Sequence, residues 1–500
     1  MVQEDKLNPN LIAQFLGKEP ASFTMNDLIR FIEEKGVRMV NFRYPAEDGK
    51  LKTLNFIIQS RKHLVTILSG GERVDGSSLF SFISAGSSDL YIMPRYRTAF
   101  LNPFSEIPAL DLLCEFYTSE GKPLENSPGY ILKKAYALFR EKTGYNFKAM
   151  GELEYYVNSQ DDEIFSMEFQ KGYHSSEPFA RWEKLRIEAM QLIAATGASV
   201  KYGHAEVGSF TRDGQLFEQH EIEFLPVDVH LAAEQLIIAK WIVRMVAARY
   251  GVEVSFAPKI TVGMAGSGLH IHMLLEKDGK NAMVKDGNLS DAALKMIAGI
   301  LDVSEALTAF GNTIPTSYLR LVPGQEAPTR ICWGDRNRSV LVRVPLGWSK
   351  PSSMINHANS QDSEVTQPAE VKQTVEFRAP DGSAEIYSLL AGLVMAALHG
   401  FNMPDALKYA EKLYVDGDIF SSEKRKEFEQ LQHLPVSCFE SADKLLNKRK
   451  VFENENVFPP KMIDALTAKL QSYNDKDLSE RLQGKTEEIR KLVIRYIHCM

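Results

Sequence analysis

Cysteine is scarce in this chain of 500 residues: there are four, Cys114, Cys332, Cys438 and Cys499, and no two stand close enough to form a CxxC pair. A disulfide framework or a zinc knuckle is therefore not expected, and a reducing, cytoplasmic setting is. No apolar run reaches the ~18 residues that a membrane helix needs. The nearest, Tyr387 to Phe401, is broken by Ser, Gly and His and reads as a buried helix. The opening residues, MVQEDKLNPN, have no apolar segment of the kind a secretory signal carries. A surplus of positive charge is missing too, since 58 basic residues face 65 acidic ones for a net charge of -7. That argues against nucleic acid or an anionic membrane as the main partner. Internal repeats and low-complexity tracts are also lacking.

What is present is material for a large core. Hydrophobic residues make up 44% of the chain and charged ones 25%, which excludes disorder throughout. The length predicts two or more domains. Helical spacing marks Met25 to Lys35, and short strands follow at Val37 to Phe42 and Leu51 to Ile58 around the turn Glu47-Asp48-Gly49. Further strand-like runs surround Asp89 to Met93 and Leu110 to Tyr117. The pattern breaks at Glu120 to Pro123 and Ser127 to Gly129, and a helix opens at Tyr130, which puts a domain boundary at about residue 122. Beyond it, helices (Leu231 to Tyr250, Asp464 to Tyr473, Leu478 to Tyr496) are mixed with strands that carry unusual charges.

Those charges are the informative feature, because a strand sends alternate side chains to opposite faces. Glu152 and Glu154 share a face opposite Leu153 and Tyr155, and His270 and His272 share one opposite Leu269, Ile271 and Met273. Glu376 and Arg378 oppose Val375 and Phe377; Arg343 opposes Val342 and Val344. His204 and Glu206 are two apart, and Glu221 and Glu223 flank Ile222. Any one such strand reads as a sheet with a wet face. Several together, carrying Glu, His and Arg rather than Lys, Thr and Ser, point elsewhere. Carboxylates gathered on one concave face repel unless cations neutralise them. Hard divalent ions prefer oxygen ligands and accept an occasional imidazole, while arginine grips phosphate with a planar fork. The combination predicts phosphoryl transfer assisted by more than one metal ion.

The same segments resemble type I glutamine synthetases, the glutamate–ammonia ligases. The resemblance is carried by Arg320-Leu-Val-Pro-Gly-Gln-Glu326-Ala-Pro, Arg336-Asn-Arg338-Ser, Val342-Arg343-Val-Pro, Gly266-Ser-Gly-Leu-His270-Ile-His272 and Glu376-Phe-Arg378-Ala-Pro-Asp381. Gly151-Glu152-Leu-Glu154, Asp75-Gly-Ser-Ser78 and Ser88-Asp89-Leu-Tyr-Ile-Met-Pro94 add to it. It implies an α+β chain with an N-terminal β-grasp domain (1–122) and a catalytic domain (123–500) built on a curved antiparallel sheet flanked by helices. It also implies a cytoplasmic homo-oligomer, a dodecamer of two hexameric rings, with active sites shared between neighbouring subunits.

By position, the resemblance implies one Mg²⁺ or Mn²⁺ ion on Glu154, Glu206 and Glu221, and another on Glu152, His270 and Glu376. Arg338 and Arg343 would contact the phosphates of ATP, with His272 a hydrogen-bonded strand histidine near the nucleotide. Arg320 and Arg378 would orient glutamate and the phosphoryl group, and the backbone at Gly266 would touch glutamate. Glu326 would lie on a loop that closes over the intermediate. Ammonium would be held by Asp75, Ser78, Tyr173 and Glu206, with Asp75 taking its proton. The implied reaction joins ammonia to the side-chain carboxylate of glutamate through γ-glutamyl phosphate.

The pattern is departed from in places. Ser209 to Phe217 reads as an insertion, so that Glu218 or Glu223 is an alternative to Glu221 as third ligand. Ala265 stands where the family has Asn, Leu274 where it has Ser, and Glu385-Ile386-Tyr387 replaces Asn-Pro-Tyr. A γ-glutamyl–amine ligase that uses a polyamine or other organic amine is the second reading, and a catalytically silent relative the third. His220 and the basic run Lys448-Arg449-Lys450 are read as structural.

Overall fold

The first long helix spans Met25–Lys35 and is set by its caps. Thr24 Oγ1 accepts the N–H of Asp27 while Asp27 Oδ2 accepts that of Thr24, and Gly36 ends the helix at φ +66. Leu28, Ile29, Phe31 and Ile32 are buried beneath it against a six-stranded sheet. The computed structural model describes residues 7–162, 164–165, 167–322, 327–347, 351–361, 372–417 and 430–499.

In the first sheet the strands run in the order Leu51–Ile57, Met39–Pro45, Ala109–Tyr117, Asp89–Pro94, Glu72–Asp75, with Phe100–Leu101 also paired to Ala109–Tyr117. The Met39–Pro45 and Ala109–Tyr117 strands are parallel and the other pairs antiparallel. Asp111 is fully buried between them and accepts from Asn41 (2.6 Å), Arg43 Nε (2.6 Å) and Asn102 (3.0 Å). The Arg43 guanidinium also lies 4.2 Å from the ring centre of Trp241, which belongs to the helix Val229–Arg249 of the larger unit. A second tie is ionic: Arg95 and Arg97 both reach Glu234 on that helix, Arg97 Nη1 at 2.8 Å. Burial pushes the Glu234 carboxyl up, but the two arginines outweigh it and hold it below its ordinary value.

The larger unit is built on a curved ten-stranded sheet, and the chain has the expected α+β architecture. Its main path runs Trp333–Asp335, Val342–Val344, Val375–Phe377, Leu269–Lys277, Asn146–Gln160, Gln215–Phe224, Val200–Arg212. All neighbours are antiparallel except the edge pair Trp333–Asp335 and Val342–Val344, which is parallel. One face is apolar: Leu153, Tyr155, Ile222, Leu269, Ile271, Met273, Val375 and Phe377 join the core formed with Val229–Arg249, Pro128–Thr143 and Ile386–Asn402. Gly151 lies on this face because a Cβ there would come within 2.7 Å of Leu236 Cδ2.

We propose the division between the units at residue 122, after the strand that ends at Tyr117 and before the helix that starts at Pro128. The apolar stretch after Tyr387 is the buried helix Ile386–Asn402, and among the described residues no single helix is long and apolar enough to cross a membrane. The four cysteines are free thiols. One expectation fails: Leu478 to Tyr496 is not a single helix but Leu478–Leu482 and Thr486–Tyr496, because Gly484 takes φ +74 between them.

Asp27 supplies a test of the cap. Its carboxyl is pulled down to about 2 by the hydrogen bond from Lys18 and then by that from Thr24. The folded value lies below the unfolded one of about 4, so its stabilisation is complete above about pH 4 and lost as pH falls towards 2. Asp27→Ala is expected to destabilise the first domain by about 1 kcal/mol at neutral pH, with the difference from the unsubstituted protein closing in acid, as measured by denaturant titration at several pH values.

Candidate active site

Strand register assembles the polar face of the larger sheet into rows. Tyr202 pairs with Glu223, Glu223 with Glu152, and Glu152 with His270. One step along, His204 pairs with Glu221 and Glu221 with Glu154. At the other side Arg343 pairs with Glu376, and Glu376 with His272. Sequence alternation supplied the right face of each strand, and antiparallel pairing then brought the charges of six strands together. They line a cavity of about 1390 Å³.

Within it, Glu152 bridges the histidines, with Oε2 2.9 Å from His270 Nδ1 and Oε1 2.7 Å from His272 Nε2. Glu376 receives Arg343 Nη1 at 2.8 Å and Arg378 Nε at 3.0 Å. Arg320, buried, donates to the carbonyls of Ala379 (2.8 Å) and Arg378 (3.2 Å), and Arg378 donates to the carbonyl of Arg338. His272 Nδ1 lies 2.9 Å from Thr374 Oγ1, so it is a hydrogen-bonded strand histidine.

Electrostatics divide the cluster. Burial would raise the Glu152 carboxyl, but His272 and His270 hold it well below its usual range. Burial would lower His272, and Glu152 and Glu376 raise it instead. Glu221 has only the His204 imidazole, 3.9 Å away: burial pushes it well above the carboxylate range, and Glu152, Glu154, Glu206 and Glu223 push it further. Its ionised form needs a cation. Two triads have ligand atoms within 4.8 Å of one another, Glu152 with His270 and Glu376, and His204 with Glu221 and Glu223. The first triad is the one that spacing and resemblance selected. In the second, Glu221 keeps company with His204 and Glu223 more tightly than with Glu154 and Glu206. Burial lowers His204, which leaves a neutral imidazole. Carboxylates with one imidazole per triad suit Mg²⁺ or Mn²⁺.

The alternative ligand Glu218 is excluded by its position. It is buried away from this cavity, accepts the N–H groups of Arg181 (3.1 Å) and Trp182 (3.0 Å), and lies 2.7 Å from His220 Nε2. Alternation along the unbroken strand Gln215–Phe224 is the reason, since it puts Glu218 and His220 opposite Gln219, Glu221 and Glu223; on the neighbouring strand Glu206, Val207 and Gly208 form a bulge that opposes Gln219. A Cβ on Gly208 would sit 2.0 Å from Tyr156 Oη, so only glycine fits there. The segment that reads as an insertion is the outer end of this hairpin, turning at Asp213-Gly214. Phe210 and Phe217 stack at 4.8 Å, and Arg212 reaches Thr261.

Other predicted residues are placed as follows. Gly266, Tyr173, Glu206, Arg320, Arg338, Arg343 and Arg378 line the cavity. Asp75 and Ser78 do not; they stand on an exposed turn of the first domain, with Ser78 Oγ donating to Asp75 Oδ2 at 2.7 Å. The hydrogen bonds from Ser78 and then Ser77 hold the Asp75 carboxyl far below its usual range. Glu326 lies outside the described residues. Ala265 and Leu274 line the cavity, whereas Glu385 is a half-buried cap that accepts from Ser388 N–H (2.8 Å) at the start of the helix Ile386–Asn402.

Sequence reading missed Gln219, Tyr202 and His174. Gln219 is buried; its amide donates to Glu154 Oε2 and to the carbonyl of Gly266, each at 3.0 Å, and accepts the N–H of Gly208 at 3.0 Å. The period of two through Glu223 and Glu221 runs back to it and was the available signal. His174 stacks on Tyr173 (4.1 Å) and meets His204 at a tilt (4.4 Å), contacts that no sequence pattern reveals.

Comparison with known proteins follows the same division. A family model described as the glutamine synthetase catalytic domain matches residues 125–479, and one described as the glutamine synthetase β-grasp domain matches 36–119. The glutamine synthetase of Clostridium saccharobutylicum is 29% identical over 435 residues, 85% of this chain and 89% of that one. That of Pyrococcus woesei is 31% identical over 390 residues, 77% and 80% of the two chains. Among solved structures, the glutamine synthetase of Plasmodium falciparum superposes with a TM-score of 0.72 at 21% identity, covering 91% of this chain and 96% of that one. A GmaS/ADP complex does so with 0.71 at 20% identity, covering 94% and 99%.

Two measurements test the geometry. Because burial and its neighbours raise the Glu221 carboxyl, ion binding is coupled to loss of its proton, and Mn²⁺ affinity should rise with pH. Glu221→Gln is expected to weaken binding and flatten that slope, while Glu218→Gln leaves both unchanged in calorimetric titrations. Gln219→Ala should weaken Mn²⁺ binding about 10- to 100-fold, because it frees Glu154 and the Gly266 carbonyl from their common anchor.

Proposed function

The chain belongs to the glutamine synthetase family, and on that premise we propose that it is an ATP-dependent ligase that joins ammonia to the side-chain carboxylate of L-glutamate, releasing glutamine, ADP and phosphate. The observation that supports this most is the coexistence, in one cavity, of two carboxylate–imidazole triads and four arginines. A free carboxylate is a poor electrophile, so activation by phosphoryl transfer from ATP to γ-glutamyl phosphate is the chemistry that needs this set of charges. Two or more Mg²⁺ or Mn²⁺ ions, on Glu152, His270 and Glu376 and on Glu221 with Glu154, Glu206, His204 or Glu223, would supply fixed positive charge against the phosphates.

The chain's own residues do the rest. Arg338 and Arg343 bind the nucleotide phosphates beside His272. Arg320 and Arg378, already anchored to backbone carbonyls and to Glu376, orient glutamate and the transferring group at no cost in side-chain freedom. The backbone at Gly266 receives the amino-acid end of glutamate, and Glu326 belongs to the segment that excludes water from the acyl phosphate. Ammonium binds against Glu206 and Tyr173. Asp75 and Ser78 reach this point only from a neighbouring subunit, so the active oligomer, a dodecamer by family, is part of the mechanism. The ionised state of Asp75 suits a cation, and it accepts the proton that frees ammonia to attack.

A second reading, transfer to an organic amine, is favoured by one feature. Tyr173, His174, Tyr202 and His204 form a wall of rings beside Glu206, Glu221 and Glu223, a surface that suits an alkylammonium as well as ammonium.

Phosphate release from ATP with glutamate and Mg²⁺, compared across ammonium and a panel of organic amines, separates the readings. Ammonium is expected to stimulate most, with glutamine as product, and Asp75→Ala to abolish that stimulation. Preferential stimulation by an organic amine would move the protein to the second reading, and an unchanged ammonia rate in Asp75→Ala would refute the ammonium site.

A further inference from the structure

Residues 170–174 lie outside the strands of the large sheet yet pair along its edge. The N–H groups of Gln170, Gly172 and His174 donate to the carbonyls of Ser209 (2.9 Å), Val207 (3.2 Å) and Ala205 (2.9 Å), alternate residues of the strand that bulges at Glu206 to Gly208. The approach is close: a Cβ on Gly172 would stand 2.5 Å from the Glu206 carbonyl oxygen. Gln170 and His174, at the two ends, take left-handed φ values of +53 and +58, which residues other than glycine rarely hold unless their surroundings fix them. This short stretch places Gln170, Tyr173 and His174 on the wall of the active-site cavity.

Gln170 also reaches a second stretch of that wall. Its Oε1 accepts the N–H of Ala265 at 2.8 Å, while its Nε2 donates to the Ser209 carbonyl at 3.3 Å. Neighbouring backbone groups are held as well. Tyr156 Oη donates to the Ala265 carbonyl (2.9 Å) and Gln219 Nε2 to that of Gly266 (3.0 Å). The N–H groups of Ser267 and Gly268 donate to the Pro258 carbonyl (3.1 Å) and to Glu154 Oε2 (2.9 Å). Among the described residues, the N–H of Gly266 has no such partner. In a trans peptide the N–H and C=O point opposite ways, so the buried Tyr156, by holding the Ala265 carbonyl, aims the Gly266 N–H away from itself. Gln170 fixes the peptide plane on the other side of Ala265. Ala265 itself carries only a methyl group, so recognition along this stretch falls to the backbone.

We propose that Gln170 is a positioning residue shared by two substrates: its side chain ties the loop that presents the Gly266 amide to glutamate to the segment that presents Tyr173 to the amine. The assignment rests on the ligase reading above, which puts glutamate at Gly266 and the amine at Tyr173 and Glu206. One tie serves both places, so loosening it weakens glutamate and amine together. The nucleotide does not feel it, because Arg343 stands on the strand Val342–Val344, towards the opposite edge of the sheet from Val200–Arg212.

The test is steady-state kinetics of the full chain with glutamate, ATP and whichever amine the unsubstituted protein prefers. Gln170→Met removes both side-chain hydrogen bonds and keeps an unbranched chain of similar length at the left-handed position. Tyr156→Phe frees the Ala265 carbonyl and leaves the bonds of residues 170–174 in place. Gln170→Met is expected to raise KM for glutamate and for the amine about three- to tenfold each, with kcat changed less than about twofold and KM for ATP unmoved. Tyr156→Phe should raise KM for glutamate alone. An equal rise in KM for ATP would mark a general loss of structure and overturn the assignment. So would a Gln170→Met protein in which KM for either glutamate or the amine is unchanged, or a Tyr156→Phe protein in which both rise alike. No glutamate-dependent phosphate release by the unsubstituted protein with any amine would refute the ligase reading and this assignment with it. Release that Gln170→Met leaves unaltered would refute this assignment alone.

Discussion

Like-charge repulsion in a place that water does not reach is the constraint on which this protein turns. Five carboxylates, Glu152, Glu154, Glu221, Glu223 and Glu376, project from one face of a sheet and are buried or nearly so. At separations near 4 Å and an effective dielectric constant of about 20, each ionised pair repels by roughly 4 kcal/mol. A few such pairs equal the whole stability of a typical domain, about 5–15 kcal/mol. The protein by itself relieves part of the strain: His270 and His272 flank Glu152, and Arg343 and Arg378 grip Glu376. Glu221 is left over, and burial with its neighbours raises it well above the carboxylate range. A face arranged this way stores affinity for cations, which is what phosphoryl chemistry requires.

That strain is affordable only because the back of the same strands is rigid. Leu153, Tyr155, Ile271, Met273 and Phe377 are buried completely against three helices. A register slip of one residue would move them all to the polar side and the carboxylates into the core. Gly151 allows the central helix its close approach, and alternation along Gln215–Phe224 turns Glu218 away from the cavity while keeping Gln219 in it, opposite the bulge at Glu206 to Gly208. Gln219 then ties a carboxylate on one strand to the loop at Gly266 on another segment. The departures from the family at Ala265 and Glu385 fall in different places: one in the cavity wall, the other a helix cap outside that wall.

The junction of the domains follows the same logic with opposite weight. Glu234 is buried but doubly paired, so its carboxyl stays ionised and holds Arg95 and Arg97 of the first domain to a core helix of the second. Arg43 over Trp241 adds a contact whose energy comes from desolvation and ring electrostatics. These contacts attach the first domain, with its exposed turn at Asp75, to the core of the larger unit.

Much of this was written in local sequence. Period-two alternation identified the polar face of each charged strand, because strand geometry depends on little beyond neighbouring residues, and helical spacing placed the helix Met25–Lys35 correctly. The ordered motifs around Arg320, Arg343, His270 and Glu376 carried the family. Alternation separates Glu218 from Glu221, which lie three apart, but it is blind to the bulge at Glu206 to Gly208 on the neighbouring strand and cannot choose between Glu221 and Glu223. Nor could it find the contact of His174 with His204 or the anchoring by Gln219, which join segments far apart in sequence. Sequence by itself determined which side chains carry charge and which way each strand turns them, since both are local properties. Only the tertiary structure decided which of those charges meet, because that depends on strand register and helix packing, set by the burial of the whole apolar face at once.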